Sequence, residues 1–260
     1  MIYILLPTYN EERSLPLLLE KIEGTLRKHD YKVVVVNDGS VDGTGKVLSE
    51  FKDKIPLEII THKINRGLGE TTRDGFEKIA EMAEPQDVVV RMDADNTHEP
   101  KYILALVEKI KEGNDVVIAS RFQEGGGMVG VGKYRSLISY CASLIIKTFF
   151  PIRGVKDYSC GFRAYRAGII QDSIEIFGNQ FIDLKGMGFT GTVEKIIKLR
   201  MLGAKMAEIP FQLRYDQKEG SSKMVTSITT LGYLVLVIKN IYPWGKHGKE
   251  LQKKIKEYKK

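Results

Sequence analysis

Short apolar runs alternate with longer stretches of helical period through the first half of the chain. Ile2–Leu6, Lys32–Asn37, Leu57–Thr61, Asp87–Met92 and Asp115–Ala119 are brief and rich in β-branched residues. Between them lie Glu11–Lys28, Gly43–Lys52, Gly67–Ala83 and Lys101–Glu112, whose apolar positions recur every three or four residues. Runs such as Val33–Val36 are apolar on both faces, as parallel strands covered by helices on each side must be. The alternation predicts an α/β fold, a Rossmann-like doubly wound sheet with ligands at the carboxyl ends of its strands. Beyond residue 120 the rhythm breaks. Residues 125–132 hold five glycines in eight positions, which predicts a mobile flap or a plain surface linker. Lys133–Phe149 and Thr192–Leu202 then read as helices, and Gly161–Tyr165 and Lys205–Leu213 as strands.

The chain has 260 residues, 43% of them apolar and 28% charged, which suits a soluble globular protein and excludes disorder or a disulfide-stapled miniprotein. Its two cysteines, Cys141 and Cys160, lack metal-ligand spacing. The N-terminal run has no basic residues ahead of it, so it reads as a first strand and not as a leader. Charge placement adds more. Residues 245–260 carry seven lysines against two glutamates, a net +5 of the chain's +7. A basic tail on a nearly balanced body argues against a nucleic-acid partner. Just upstream, residues 224–244 hold the apolar run Leu231–Ile238 and end in Tyr242-Pro243-Trp244. Polar residues dilute this stretch too far for a membrane span. Two readings stay open: an amphipathic helix lying on a bilayer surface, or a C-terminal helix packed on the core with a solvated lysine tail.

Polar clusters fall just past the strand ends. Pro7-Thr8-Tyr9-Asn10-Glu11 follows the first strand, Asn37-Asp38-Gly39-Ser40 the second, and Asp93-Ala94-Asp95 the fourth. Two carboxylates one residue apart repel each other, and a divalent cation holding a diphosphate relieves this with hard oxygen ligands suited to Mg²⁺ or Mn²⁺. An N-cap for the following helix is the alternative use of the same pair.

Taken in order, with Asn65-Arg66-Gly67-Leu68-Gly69 after the third strand, these clusters resemble the family 2 glycosyltransferases of the GT-A fold. The later elements are Ser120-Arg121, Asp157-Tyr158-Ser159-Cys160-Gly161-Phe162-Arg163, Glu208-Ile209-Pro210, Arg214 and Ser222-Lys223. They are similar to the dolichol- and polyprenyl-phosphate mannose synthase branch. The resemblance implies an inverting, metal-dependent transfer of a hexose, mannose from GDP-mannose, onto a polyprenyl or dolichyl phosphate. It implies donor contacts from Pro7, Tyr9, Glu11, Asp38 and Asp93, and a Mg²⁺ or Mn²⁺ site at Asp93, Asp95 and Thr97. Thr97 stands where those synthases commonly carry a glutamine; the adjacent His98 reads as a possible ligand or as a structural residue. On the acceptor side it implies a phosphate grip by Arg121, Arg135, Arg214 and Lys223, with Asp157 near the reaction centre, although residues 215–219 enlarge the loop between Arg214 and Lys223. A lipid phosphate is already charged and needs no general base, whereas a saccharide or glycolipid hydroxyl would need one, with Asp157 in that role. A non-catalytic nucleotide- or lipid-surface-binding protein is the third reading. The expected organisation is a GT-A transferase domain over 1–223 and a C-terminal apolar helix with a basic tail over 224–260, which the bilayer reading sets on a membrane surface. That places the protein peripherally on the cytoplasmic membrane face, with room for a separate integral membrane partner.

Overall fold

The computed structural model describes residues 1–184, 186–187, 190–219, 226–241 and 246–259. A seven-stranded sheet runs through the centre. In chain order its strands are β1 (Ile2–Thr8), β2 (Tyr31–Asn37), β3 (Leu57–Thr61), β4 (Val88–Arg91), β5 (Val116–Ser120), β7 (Arg163–Arg166) and β8 (Met206–Pro210), arranged β3-β2-β1-β4-β7-β5-β8. All neighbours are parallel except β7, which lies antiparallel between β4 and β5. Every residue of β1 and β5 is buried, and Val33–Val36 of β2 are wholly inaccessible, as two-sided coverage demands. Register aligns the strand ends. Thr8 pairs with Asn37, Leu5 with Arg91, and Ser120 with Pro210, so the chain after each strand emerges along one edge of the sheet.

Helices cover both faces. α1 (Leu15–Leu26) buries Leu15, Leu18, Leu19, Ile22 and Leu26, a spacing that follows the helical period. It begins four residues later than the apolar pattern predicts, because Glu11–Ser14 are used as a turn that tethers the first loop: the Leu15 N–H bonds the Glu11 carbonyl. α2 (Thr44–Phe51), α3 (Leu68–Met82) and α4 (Ile103–Lys111) fall where the period places them, as do α5 (Lys133–Phe149) and α7 (Thr190–Leu202). α6 (Ala167–Phe177), absent from the sequence reading, buries Ala167, Ile170, Ser173, Ile176 and Phe177.

Two expectations change. The glycine-rich segment is pinned: Gly127–Val129 form β6, which pairs in parallel with β9 (Gln212–Arg214) in a second sheet. The Gly126 backbone lies so close under the chain that an added Cβ would sit 2.5 Å from the Ser120 carbonyl oxygen. Glycine here permits close approach more than motion. Likewise the C-terminal region is two helices, α8 (Thr226–Asn240) and α9 (Lys246–Tyr258), in place of one helix and a solvated tail. Leu251 and Ile255 of α9 are buried, and the Tyr258 hydroxyl reaches Asp172 and Glu175 of α6. The i, i+4, i+7 apolar spacing within the lysines supplied that packing face. The expected boundary at 223/224 falls outside the described residues. No helix among the described residues is long and apolar enough to cross a membrane.

Candidate active site

Side chain to backbone bonds fasten the loops after β1 and β2 together. Asn10, held at φ 51°, receives Val41 N–H on its side-chain oxygen, and its own N–H donates to Ser40 Oγ, both at 2.9 Å. Glu11 N–H donates to Thr44 Oγ1 at 2.9 Å. Pro7 is a buried residue of β1, and Tyr9 and Glu11 are half-buried in the loop that follows it. Asp38 is buried and fully engaged. Its carboxylate accepts from the N–H groups of Arg66 and Gly67 at 2.8 Å each, and meets His62 Nδ1 at 2.7 Å. His62 Nε2 lies 3.0 Å from Asp74, so the imidazole bridges two carboxylates. Asp38 therefore shapes the 65–67 loop, forming one wall beside the first loop.

Beyond β4, Asp93 and Asp95 each face a cation. Arg91, 2% exposed, sets Nη1 2.7 Å from Asp93 Oδ1. Gly161 lies against that guanidinium, where a side chain would displace it. Asp95 Oδ1 accepts from the Thr97 hydroxyl at 2.6 Å and from the Thr97 N–H at 3.2 Å, while Oδ2 is paired with the Lys218 ammonium. Desolvation pushes the Asp93 carboxyl upward, but Arg91, His98 and Lys218 outweigh it and hold it below the usual carboxylate range. Asn96, at φ 61°, anchors the loop through its side-chain amide to the Ser14 carbonyl at 2.8 Å. His98 is buried, with Nε2 3.6 Å from Asp93 Oδ2. It stacks on Phe162 with ring centroids 5.0 Å apart, and its Nδ1 accepts the Asp93 N–H at 2.9 Å. Burial pushes its imidazole below the ordinary histidine value.

Hard oxygen donors from Asp93, Asp95 and Thr97 suit a divalent cation, and an ammonium already resting on Asp95 marks a place where positive charge is welcome. Among the described residues there is no cluster of three His, Cys, Asp or Glu able to hold a metal alone. Phosphate oxygens or water would have to complete the shell.

The second half of the site grows from the loop before β7. Asp157 is wholly buried and accepts a bidentate fork from Arg121: Nε to Oδ2 and Nη2 to Oδ1, both 2.7 Å. Three backbone N–H groups, of Arg121, Ser159 and Cys160, complete its acceptor set. Burial alone would raise this carboxyl; Arg121 more than reverses that and holds it low. Arg121 also donates from Nη2 to Ser159 Oγ at 2.7 Å. Its Nη1 has only the Met128 sulfur, 4.0 Å away, among its described partners. Glu208 of β8 receives the N–H groups of Lys156 and Asp157 at 2.7 Å each and so sets the loop. Arg214, at the end of β9, pairs with Asp216 at 2.8 Å, and its N–H bonds the Thr97 carbonyl at 3.1 Å, joining the two halves. Arg135 lies in the first turn of α5, with its side chain outside the description, and Lys223 falls outside the described residues.

A family model, Glycosyl transferase family 2, matches residues 3–173. The chain belongs to that family. It is 34% identical over 242 residues to an undecaprenyl-phosphate mannosyltransferase of Micrococcus luteus, covering 93% of this chain and 92% of that one. It is 33% identical over 222 residues to a dolichol-phosphate mannosyltransferase of Pyrococcus furiosus, covering 85% of this chain but only 58% of that longer relative. Among solved structures, glucosyl-3-phosphoglycerate synthase from Mycobacterium tuberculosis, in complex with Mn²⁺, UDP-glucose and phosphoglyceric acid, aligns at TM-score 0.60 and 14% identity, over 91% of this chain and 79% of that one. The S. aureus TarS 1–349 structure aligns at TM-score 0.56 and 17% identity, over 98% and 70%. These likenesses establish the GT-A fold.

Within this family 2 chain, sequence reasoning missed Arg91 and Lys218. Arg91 had one legible signal: a charged residue closing an otherwise apolar strand immediately before the acidic pair. Lys218 had none, being 123 residues from its partner.

Proposed function

We propose that this chain moves a hexose, mannose, from a nucleotide sugar, GDP-mannose, to a polyprenyl or dolichyl phosphate with inversion. The observation that carries the choice of acceptor is the state of Asp157. Its carboxylate is buried, forked by Arg121 and held below the usual range, so it is a poor proton acceptor. A hydroxyl acceptor would lack a base there. A phosphate monoester, with its second pKa near 6, arrives charged and needs none. Its oxygen attacks the sugar's anomeric carbon, the bond from that carbon to the nucleoside diphosphate breaks, and no proton changes hands. The names of the mannosyltransferase relatives support the same substrate class.

Roles follow from position. Pro7, Tyr9 and Glu11 border the nucleoside with the wall that Asp38 organises. Asp93, Asp95 and Thr97 would hold Mg²⁺ or Mn²⁺, which supplies charge neutralisation for the departing diphosphate. Arg91 fixes Asp93. Arg121 offers Nη1 to the acceptor phosphate, with Arg214, Arg135 and Lys223 as further cations.

Access to a lipid is supported by an exposed apolar face on α5 and α8, which pack against each other. Leu144 is 53% and Leu234 57% exposed, alongside Tyr140, Ile145 and Phe149 on α5 and Leu231 and Ile238 on α8. Large apolar side chains concentrated on adjacent helices fit insertion into the surface of a bilayer. This face, more than the lysine-rich α9, is the membrane contact in our reading, with the enzyme peripheral on the cytoplasmic side. Radiolabelled GDP-mannose supplied with polyprenyl phosphate and Mn²⁺ should give a chloroform-soluble, mild-acid-labile product. Label entering only water-soluble glycan would refute the phosphate acceptor.

A further inference from the structure

The two site carboxylates are guarded by cations of different kinds. Arg91 belongs to β4, is buried and is backed by Gly161, so it is a fixed part of the floor. Lys218 instead lies just past the single turn Tyr215–Gln217 that follows β9. Its side chain is only 10% exposed, drawn beneath the surface onto Asp95 and close enough to Glu11 and Asp93 to feel both. The Tyr215 ring lies 5.8 Å from its ammonium. Thr97 holds Asp95 from the other side through Oδ1, which leaves Oδ2 as the oxygen that Lys218 occupies. A metal ion seeking that oxygen meets a positive charge already seated there. Two cations cannot share one carboxylate oxygen in a partly enclosed site without strong repulsion.

We infer that Lys218 is a tethered cation that occupies Asp95 in the metal-free protein and must be displaced for a divalent ion to bind. The inference rests on the proposed metal role of Asp93 and Asp95. While seated, the ammonium relieves the repulsion between the two acids and keeps the loop ordered around Thr97. On displacement the lysine and its segment are released together, so metal loading and the disposition of the 215–219 loop become one event. Lys218 is thus a positioning residue that sets the threshold for metal entry.

The test measures Mn²⁺ binding to the full-length protein without donor, by the loss of the free-ion signal in electron paramagnetic resonance. Lys218→Met, and Lys218→Gln as an independent replacement, should bind Mn²⁺ about tenfold more tightly than the parent. Lys218→Arg, which keeps the charge, should retain the parent affinity. Asp95→Asn should bring the parent and the Lys218→Met variant to the same weak level. Equal or weaker binding by both neutral variants, with Asp95 still required, would overturn the role of Lys218 while leaving the metal site standing. Failure of every form to bind Mn²⁺ beyond the Asp95→Asn level would overturn both.

Discussion

Asp157→Asn is the sharpest single perturbation of the proposed acceptor half. The carboxylate is wholly buried and receives five hydrogen bonds, two of them from the Arg121 guanidinium. Asparagine keeps the shape but loses the charge and turns an amide N–H₂ toward donors. Leaving one member of a buried ion pair uncompensated costs about 3–5 kcal/mol. Folded domains hold only about 5–15 kcal/mol in reserve. For a chain of this size each kcal/mol moves the melting temperature by about 2–4 °C, so the expected fall is about 6–20 °C by calorimetry or near-ultraviolet circular dichroism. Because Arg121 holds the Asp157 carboxyl low, its stabilisation is fully present at neutral pH. It is lost as pH falls below the normal aspartate value, about 3.9, and through the depressed folded value. The variant should therefore lose part of the acid limb of the stability profile. Combining it with Arg121→Met should cost less than the two changes separately, by about 0.5–3 kcal/mol, the signature of a coupled pair. A melting temperature within about 2 °C of the parent would refute the reading and return Asp157 to candidacy as a free base.

Three further outcomes are expected. Gly161→Ala pushes the Arg91 guanidinium away from Asp93, so Mn²⁺-dependent binding of guanosine diphosphate, read by titration calorimetry, should weaken about tenfold with the fold retained; unchanged affinity would detach Arg91 from the donor site. Leu144→Glu with Leu234→Glu should cut sedimentation with liposomes by more than tenfold, since each apolar side chain buried contributes about 1.5–3 kcal/mol. Equal sedimentation would move the membrane contact elsewhere. Burial pushes the Cys160 thiol up to about 12 whereas Cys141 is exposed, so a chromogenic disulfide reagent at neutral pH should titrate one thiol in the native protein and two after unfolding; two fast native thiols would contradict the packing around Asp157.

The placement of the loops after β1, β2 and β4 was legible because its signals are local. Val33–Val36 announces a two-sided strand, and Asp38 and Asp93-Ala94-Asp95 fall directly behind such runs. What the sequence concealed depends on long-range placement. Nothing adjacent to Lys218 points to Asp95, and the saturation of Asp157 needs Arg121 from another strand end. The glycines of the 125–132 run suggested freedom, yet Gly126 serves a close crossing over Ser120. In α9 the apolar positions Leu251 and Ile255 were masked by the surrounding lysines, whose charge dominates composition but not the buried face.

The reversed course of β7 carries a consequence for how substrates meet. It is hydrogen-bonded on one side to β4, which delivers Asp93, and on the other to β5, which delivers Arg121. One strand is thus stitched into both flanks of the catalytic cleft, and no hinge can open between them without tearing the sheet. Any gating must therefore be performed by segments above that seam, and under the proposed function donor and acceptor would converge on a floor that the sheet holds fixed.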